Sequence, residues 1–181
     1  LHASYLEQVR GLLEGGSDVL LVETCQDIQQ VRCAINACLD GLRERNLGPE
    51  DVPIMVQVTI ETTGTMLVGT DIAAAADVVR RFPVISLGLN CATGPLEMSE
   101  HVAWLAKHWD RHVSVLPNAG LPTLVEGRTE YPLGPAPFAE KMAEFVDAFG
   151  ISIVGGCCGT TSEHIRLLAA EVAGRTPGER R

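Results

Sequence analysis

An α/β fold with a parallel sheet is predicted by short apolar runs that alternate with helical stripes along the 181 residues. Two further observations choose between the architectures of that class. The first strand-like run leads into Glu23-Thr24-Cys25-Gln26-Asp27, without the Gly-rich phosphate loop that a doubly wound sheet usually carries there. The chemically distinctive residues Glu23, Glu61, Asn90-Cys91, Asn118 and Cys157-Cys158 all follow such runs, and a closed βα barrel turns every strand's C-terminal end toward one common site. A complete barrel has eight units in about 250 residues. The five units here predict a (βα)8 TIM-type barrel, present as a C-terminal fragment.

The elements follow in order. The chain starts at Leu1, without an initiating Met, in what reads as mid-helix. Strands are predicted over Asp18–Glu23, Pro53–Ile60, Val84–Leu89, His112–Leu116 and Ile151–Val154. All are short and most are rich in β-branched residues, as buried parallel strands are. Between and after them, apolar residues recur at helical spacing: Ile28, Val31, Ile35 and Leu42; Ile72, Ala76 and Val79; Val102, Leu105 and Ala106; Phe138, Met142 and Phe145; Ile165, Leu168 and Val172. Asp27, Asp71 and Ser99 are expected N-caps, and Thr160 with Glu163 has capping-box spacing. Residues 1–174 are expected to form a partial barrel domain. Residues 175–181, rich in Arg, Pro and Gly, read as a linker to downstream domains that are absent here.

Composition narrows the function. The net charge is -9, from 14 basic and 23 acidic residues, and the only adjacent basic pairs are Arg80-Arg81 and Arg180-Arg181. Such a chain is a poor partner for nucleic acid or an anionic membrane. No apolar stretch approaches the roughly 20 residues of a membrane span. The six cysteines are too few for a disulfide scaffold in a chain this well cored, so free thiols in a cytoplasmic setting are expected. Cys25, Cys33 and Cys38 read as small core residues. His101, His108, His112 and His164 read as structural or solvated, and Trp104 and Trp109 as packing residues.

The remaining cysteines carry the chemistry. Cys91 ends Gly88-Leu89-Asn90-Cys91, and Cys157-Cys158 lie in Gly155-Gly156-Cys157-Cys158-Gly159. Consecutive side chains of a regular strand point to opposite faces, so the pair serves one metal only if the chain turns sharply, as the flanking glycines permit. Three thiolates on a zinc ion leave one position open. An electron-rich site of this kind suits a fourth sulfur and implies activation of a substrate thiol as nucleophile. Glu23 offers an acceptor for the ammonium group of an amino-acid thiol. Other readings stay open. The vicinal cysteines fit core filling or a redox dithiol, although adjacent cysteines are poorly placed for an unstrained bridge. Glu23 fits a rim ion pair, and Asn118 an ordinary turn residue.

Gly88-Leu89-Asn90-Cys91-Ala92-Thr93-Gly94-Pro95, Pro117-Asn118-Ala119-Gly120-Leu121-Pro122 and Gly155-Gly156-Cys157-Cys158-Gly159-Thr160-Thr161 together resemble the zinc-dependent homocysteine S-methyltransferases. Within that family they are most similar to the homocysteine-binding domains of cobalamin-dependent methionine synthases, as are Val22-Glu23-Thr24 and the segment from Gln57 to Gly64. The resemblance covers the chain to about Gly174. It implies that Cys91, Cys157 and Cys158 bind zinc and that Asn118 fills the fourth position until the homocysteine sulfur displaces it. It also implies that Glu23 contacts the homocysteine amino group and that the turn at Asn90 belongs to the amino-acid pocket. The methyl donor would be methylcobalamin held by another domain of the same parent polypeptide, with methyltetrahydrofolate on a folate domain as ultimate donor. The early Asp-Gly-rich strands of the family barrel are missing, so the fragment alone is expected to have an incomplete pocket, to be inactive, and to expose two sheet edges. The alternatives are a stand-alone homocysteine methyltransferase using betaine or a methylsulfonium donor, a non-catalytic zinc or thiol module, and a nucleotide-binding domain. The last is disfavoured by the missing phosphate loop.

Overall fold

The computed structural model describes residues 1–180; Arg181, the last residue of the expected linker, lies outside the described residues. Helix α1 (His2–Glu14) leads into β1 (Leu20–Cys25), α2 (Ile28–Glu44), β2 (Ile54–Val58), α3 (Ile72–Val79), β3 (Ser86–Asn90), α4 (Pro95–His108) and β4 (His112–Leu116). A small hairpin, β5 (Thr123–Val125) and β6 (Arg128–Glu130), precedes α5 (Pro135–Phe149), β7 (Ile153–Val154) and α6 (Ser162–Val172).

The main sheet has the order β1-β2-β3-β4-β7, every neighbouring pair parallel. The order never reverses, so the sheet has no switch point of the doubly wound kind. Right-handed crossovers in a monotonic order carry all connecting helices to one face. This is an arc of five βα units from a TIM-type barrel, as the sequence predicts.

Alternation divides each strand between two faces. Ile54, Val56 and Val58, Leu87 and Leu89, and Val113 and Val115 are buried on the helix side. They meet Val31, Ile35 and Leu42 of α2, Leu105 of α4, and Phe138, Met142 and Phe145 of α5 in one core. The opposite face is polar: Gln57, Gly88 and Ser114 lie in register across β2, β3 and β4, and Gln57 Nε2 donates to Ser114 Oγ at 3.0 Å. Ser86, Gly88 and Asn90 share that face by alternation, which carries Asn90 to the rim.

Each outer strand pairs on one side only among the described residues. The consequence is local. Val19 and Leu21 beside and on β1, and Ile165 of α6, stay exposed although their spacing marks them as buried. Asp27 and Asp71 cap their helices, accepting from the N–H groups of Gln29 and Ala74 at 2.8 Å. Two other expected caps differ. Helix α4 starts a turn before Ser99: Gly94 is its N-cap and Pro95 opens it, because proline's fixed φ and missing N–H suit the first helical position. Ser99 lies inside, donating to Pro95 O. Helix α6 is capped by Thr161 rather than Thr160. His164 Nδ1 accepts from Thr161 N, which leaves Nε2 to donate to Leu133 O at 3.0 Å. The buried His164 is thus structural, as expected.

The segment after α6 lies against the N-terminal ends of the strands. Gly178 N donates to Val146 O at 3.0 Å, and Arg180 Nη1 donates to Arg111 O at 2.5 Å and Trp109 O at 3.2 Å. No described helix is long and apolar enough to cross a membrane.

Candidate metal centre

Three strand ends build the site. After β3 the chain adopts two successive left-handed residues, Cys91 at φ 62° and Ala92 at φ 57°. Non-glycine residues hold that conformation at a cost of about 1–3 kcal/mol each, so the surroundings must over-determine it. They do. Cys91 N donates to Leu116 O, Thr93 N to Cys91 O, and Asn118 N to Thr93 O, at 3.2, 2.7 and 3.0 Å. The turn therefore hangs on the end of β4 and bends the Cys91 side chain back over the rim.

The segment after β7 is stitched to the same place. Gly155 N donates to Val115 O, Cys157 N to Pro117 O, and Ala119 N to Cys158 O, at 3.1, 2.8 and 2.9 Å. Asn118, 2% exposed, accepts from Cys158 N through Oδ1 at 3.1 Å. Thr160 donates from its N and Oγ1 to Cys157 O, closing the turn. Gly159 at φ +76° completes it, and the Tyr131 ring lies where a Cβ would be, with Cγ only 2.2 Å away. That chain of bonds turns both vicinal cysteines to one side, which a regular strand cannot do.

The sulfurs converge. Cys91 Sγ lies 3.8 Å from Cys158 Sγ, Cys157 Sγ lies 3.9 Å from Cys158 Sγ, and all three fall within 4.8 Å of one another. Zinc–thiolate bonds of about 2.3 Å in a tetrahedron set sulfurs about 3.8 Å apart. The two edges that meet at Cys158 match that length, and the cluster is the only group of metal-ligating side chains of this kind among the described residues. Burial and mutual repulsion oppose ionisation without a cation: desolvation first, then Cys91 and Cys158, push the Cys157 thiol up to about 12. Desolvation likewise pushes Cys91 up. The chemistry of the donor set fits a soft, four-coordinate dication with one position left for an outside ligand.

The other expected residues border this cluster. Asn90 is buried at the end of β3; Oδ1 accepts from Thr24 N, and Nδ2 donates to Thr24 Oγ1 and faces Cys157 Sγ. Glu23 is exposed on β1, and its carboxylate enters none of the ion pairs among the described residues. Glu61 accepts from Gln26 Nε2 at 2.8 Å, linking the loops after β2 and β1. Cys25 and Cys38 are buried in the core, where desolvation pushes each thiol up to about 11.

Sequence reasoning missed two neighbours. Thr24, left-handed at φ 57°, carries no local signal for that conformation. Tyr131 follows the unexpected hairpin; Gly159 announces a close approach but not its partner. The environment of Tyr131, by desolvation and then by Cys158, pushes its phenol up.

Comparison with known proteins agrees with this geometry. The family model for homocysteine S-methyltransferase matches residues 1–172. The chain is 52% identical over 170 residues to a methionine synthase of Mycobacterium leprae and 51% identical to one of Mycobacterium tuberculosis. Each match covers 94% of this chain but 14% of the relative, so the chain spans about a seventh of the length of those proteins. Crystal structures of the homocysteine methyltransferase MmuM from Escherichia coli superpose with TM-scores of 0.69 for the apo form and 0.68 for the metallated form. They share 22% and 21% identity, covering 94% of this chain and 55% and 52% of theirs. At that identity they establish the fold, and the match over residues 1–172 establishes that this chain belongs to the homocysteine S-methyltransferase family.

Proposed function

We propose that this chain is the C-terminal part of the homocysteine-binding barrel of a methionine synthase, with residues 1–174 as the partial domain and 175–181 leading toward further domains. In this reading Cys91, Cys157 and Cys158 hold zinc and offer it to homocysteine. The observation that carries it is the convergence of three sulfurs from two strand ends within 4.8 Å of one another, two of the pairs at 3.8 and 3.9 Å. Bound zinc supplies a Lewis acid on which a thiol ionises at neutral pH.

The chain's own residues do the rest. The three cysteines fix the thiolate set on one side and leave the strand-end face open. Asn118 Oδ1 has a second lone pair beyond the one used by Cys158 N. We assign to it the fourth position until the homocysteine sulfur displaces it. Glu23 projects an unpaired carboxylate from the end of β1 and accepts the substrate ammonium, while Asn90 closes the pocket floor between β1 and the cysteines. On this reading the homocysteine sulfur, ionised beside the three cysteines, would take the methyl group of methylcobalamin held by another domain of the parent polypeptide, the electron pair of the broken carbon–cobalt bond staying on the cobalt, which would be remethylated from methyltetrahydrofolate on a folate domain. The product is methionine. The choice of donor is supported by 52% identity to a methionine synthase of which this chain covers 14%. Six cysteines read as free thiols support a cytoplasmic location for this reading.

X-ray absorption on the zinc-loaded protein tests this reading. Three sulfurs and one lighter ligand are expected before homocysteine, and four sulfurs after it. A site unchanged by homocysteine would mark a closed, non-catalytic metal module and overturn the proposal.

A further inference from the structure

Asn90 reaches from the metal cluster to the end of β1. It is 1% exposed, and its carboxamide makes three contacts. Oδ1 accepts from Thr24 N at 2.9 Å; Nδ2 donates to Thr24 Oγ1 at 2.8 Å and lies 3.8 Å from Cys157 Sγ. A backbone N–H can only donate, so Oδ1 must face Thr24 N. That fixes the amide orientation, which distance alone leaves open. The second N–H of Nδ2 therefore points at a sulfur that can only accept it. The backbone of Asn90 is held as well, since Thr59 Oγ1 donates to its carbonyl at 3.2 Å. Thr24, the residue it grips, is left-handed at φ 57° and interrupts the register of β1 with β2 between Val22 and Cys25.

We propose that Asn90 is a positioning residue that couples the metal thiolate of Cys157 to the substrate-binding end of β1. One carboxamide holds Thr24 in its strained conformation, which aims the preceding Glu23, and gives the Cys157 sulfur an N–H···S hydrogen bond. The inference rests on the reading that the three cysteines bind a metal, and it adds a role toward the metal's surroundings to the place of Asn90 in the pocket floor. A hydrogen bond to a coordinated thiolate occupies a lone pair and withdraws charge. Cys157 thereby becomes a poorer nucleophile than a substrate sulfur on the same ion, and the methyl group is steered away from the protein.

The test uses the 181-residue chain and its Asn90→Asp variant. The carboxylate still accepts from Thr24 N but presents a negative oxygen to the sulfur. Zinc affinity, measured by competition with a chromophoric chelator, is expected to fall about 10- to 100-fold, the usual effect of losing an outer-shell partner. The sulfur-to-metal charge-transfer band of the cobalt-substituted variant is expected to move to longer wavelength, because a thiolate without its hydrogen bond is a stronger donor. A purely structural Asn90 would change the melting temperature and leave that band in place, which overturns the proposal. A second measurement needs no variant. In the unmutated chain loaded with an NMR-active cadmium isotope, the Asn90 side-chain amide proton should show scalar coupling to the metal through Cys157 Sγ. Bound cadmium without that coupling refutes the role of Asn90 alone. Failure of the unmutated chain to bind any metal refutes the three-cysteine site together with it.

Discussion

Zinc binding by this chain should release close to three protons, and its affinity should climb steeply with pH. The metal takes thiolates, while the folded, metal-free site favours thiols. Cys157 is pushed up to about 12 by desolvation and by its two neighbours, and Cys91 is pushed up by desolvation. At pH 7 both raised thiols therefore stay protonated, whereas a free cysteine near 8.5 is ionised to a few per cent. The metal must displace nearly one full proton from each ligand it ionises. The sign is fixed by that stoichiometry: protons compete with zinc, so affinity falls as pH falls. Between about pH 6 and pH 8, below the raised thiol values, each proton released contributes about tenfold per pH unit, so three approach a thousandfold. Titration calorimetry in buffers of different ionisation enthalpy counts the protons directly. Cys91→Ser should lower the count by about one and weaken binding. Release of one proton or fewer, or an affinity flat across that range, would refute a three-thiolate site.

Three further outcomes follow from the same geometry. Glu23→Gln should weaken homocysteine binding about 10- to 100-fold, the loss of a charge-assisted hydrogen bond, while zinc stoichiometry stays at one; calorimetry on the zinc-loaded protein measures both. Gly159→Ala puts a Cβ 2.2 Å from Tyr131 Cγ at a φ of +76°, so urea denaturation should report a destabilisation of about 1–3 kcal/mol, accompanied by weaker zinc binding as Cys158 shifts. Removing zinc with a chelator should leave the far-ultraviolet circular dichroism unchanged, because the core of α2, α4, α5 and the sheet does not depend on the metal; collapse of the spectrum would make the zinc structural.

The parts of this fold that were legible in the sequence are those governed by periodicity. Five β-branched runs gave five parallel strands within a few residues, because a strand buried on its helix side cannot change phase without exposing every apolar side chain. Caps were legible where a side chain acts on its own helix, as at Asp27 and Asp71. They were misplaced where proline or a histidine from the next turn decided the start, as at Pro95 and His164. The hairpin at Thr123–Glu130 escaped because its six strand residues are all exposed and carry no alternation. In the site, Cys91, Cys157 and Cys158 could be singled out by their positions just after strands, the vicinal pair also by its flanking glycines. Thr24 and Tyr131 could not, because their roles arise from contacts across the chain: Asn90 lies 66 positions from Thr24.

Backbone strain is concentrated where the three sulfurs meet. Cys91, Ala92 and Thr24 are three of the five left-handed non-glycine residues among those described, and all three lie at the rim where the sulfurs meet. Each costs about 1–3 kcal/mol, so the surrounding contacts must over-determine it. Backbone bonds from Cys91 to Leu116, from Cys157 to Pro117 and from Ala119 to Cys158, with the Asn90 and Asn118 carboxamides, hold Cys158 Sγ 3.8 Å from Cys91 Sγ and 3.9 Å from Cys157 Sγ. A structural zinc finger spends metal-binding energy on folding its ligand loops. Here backbone bonds tie the ligand turns into the sheet, so on the proposed reading an exchange of the fourth ligand would leave the other three in place.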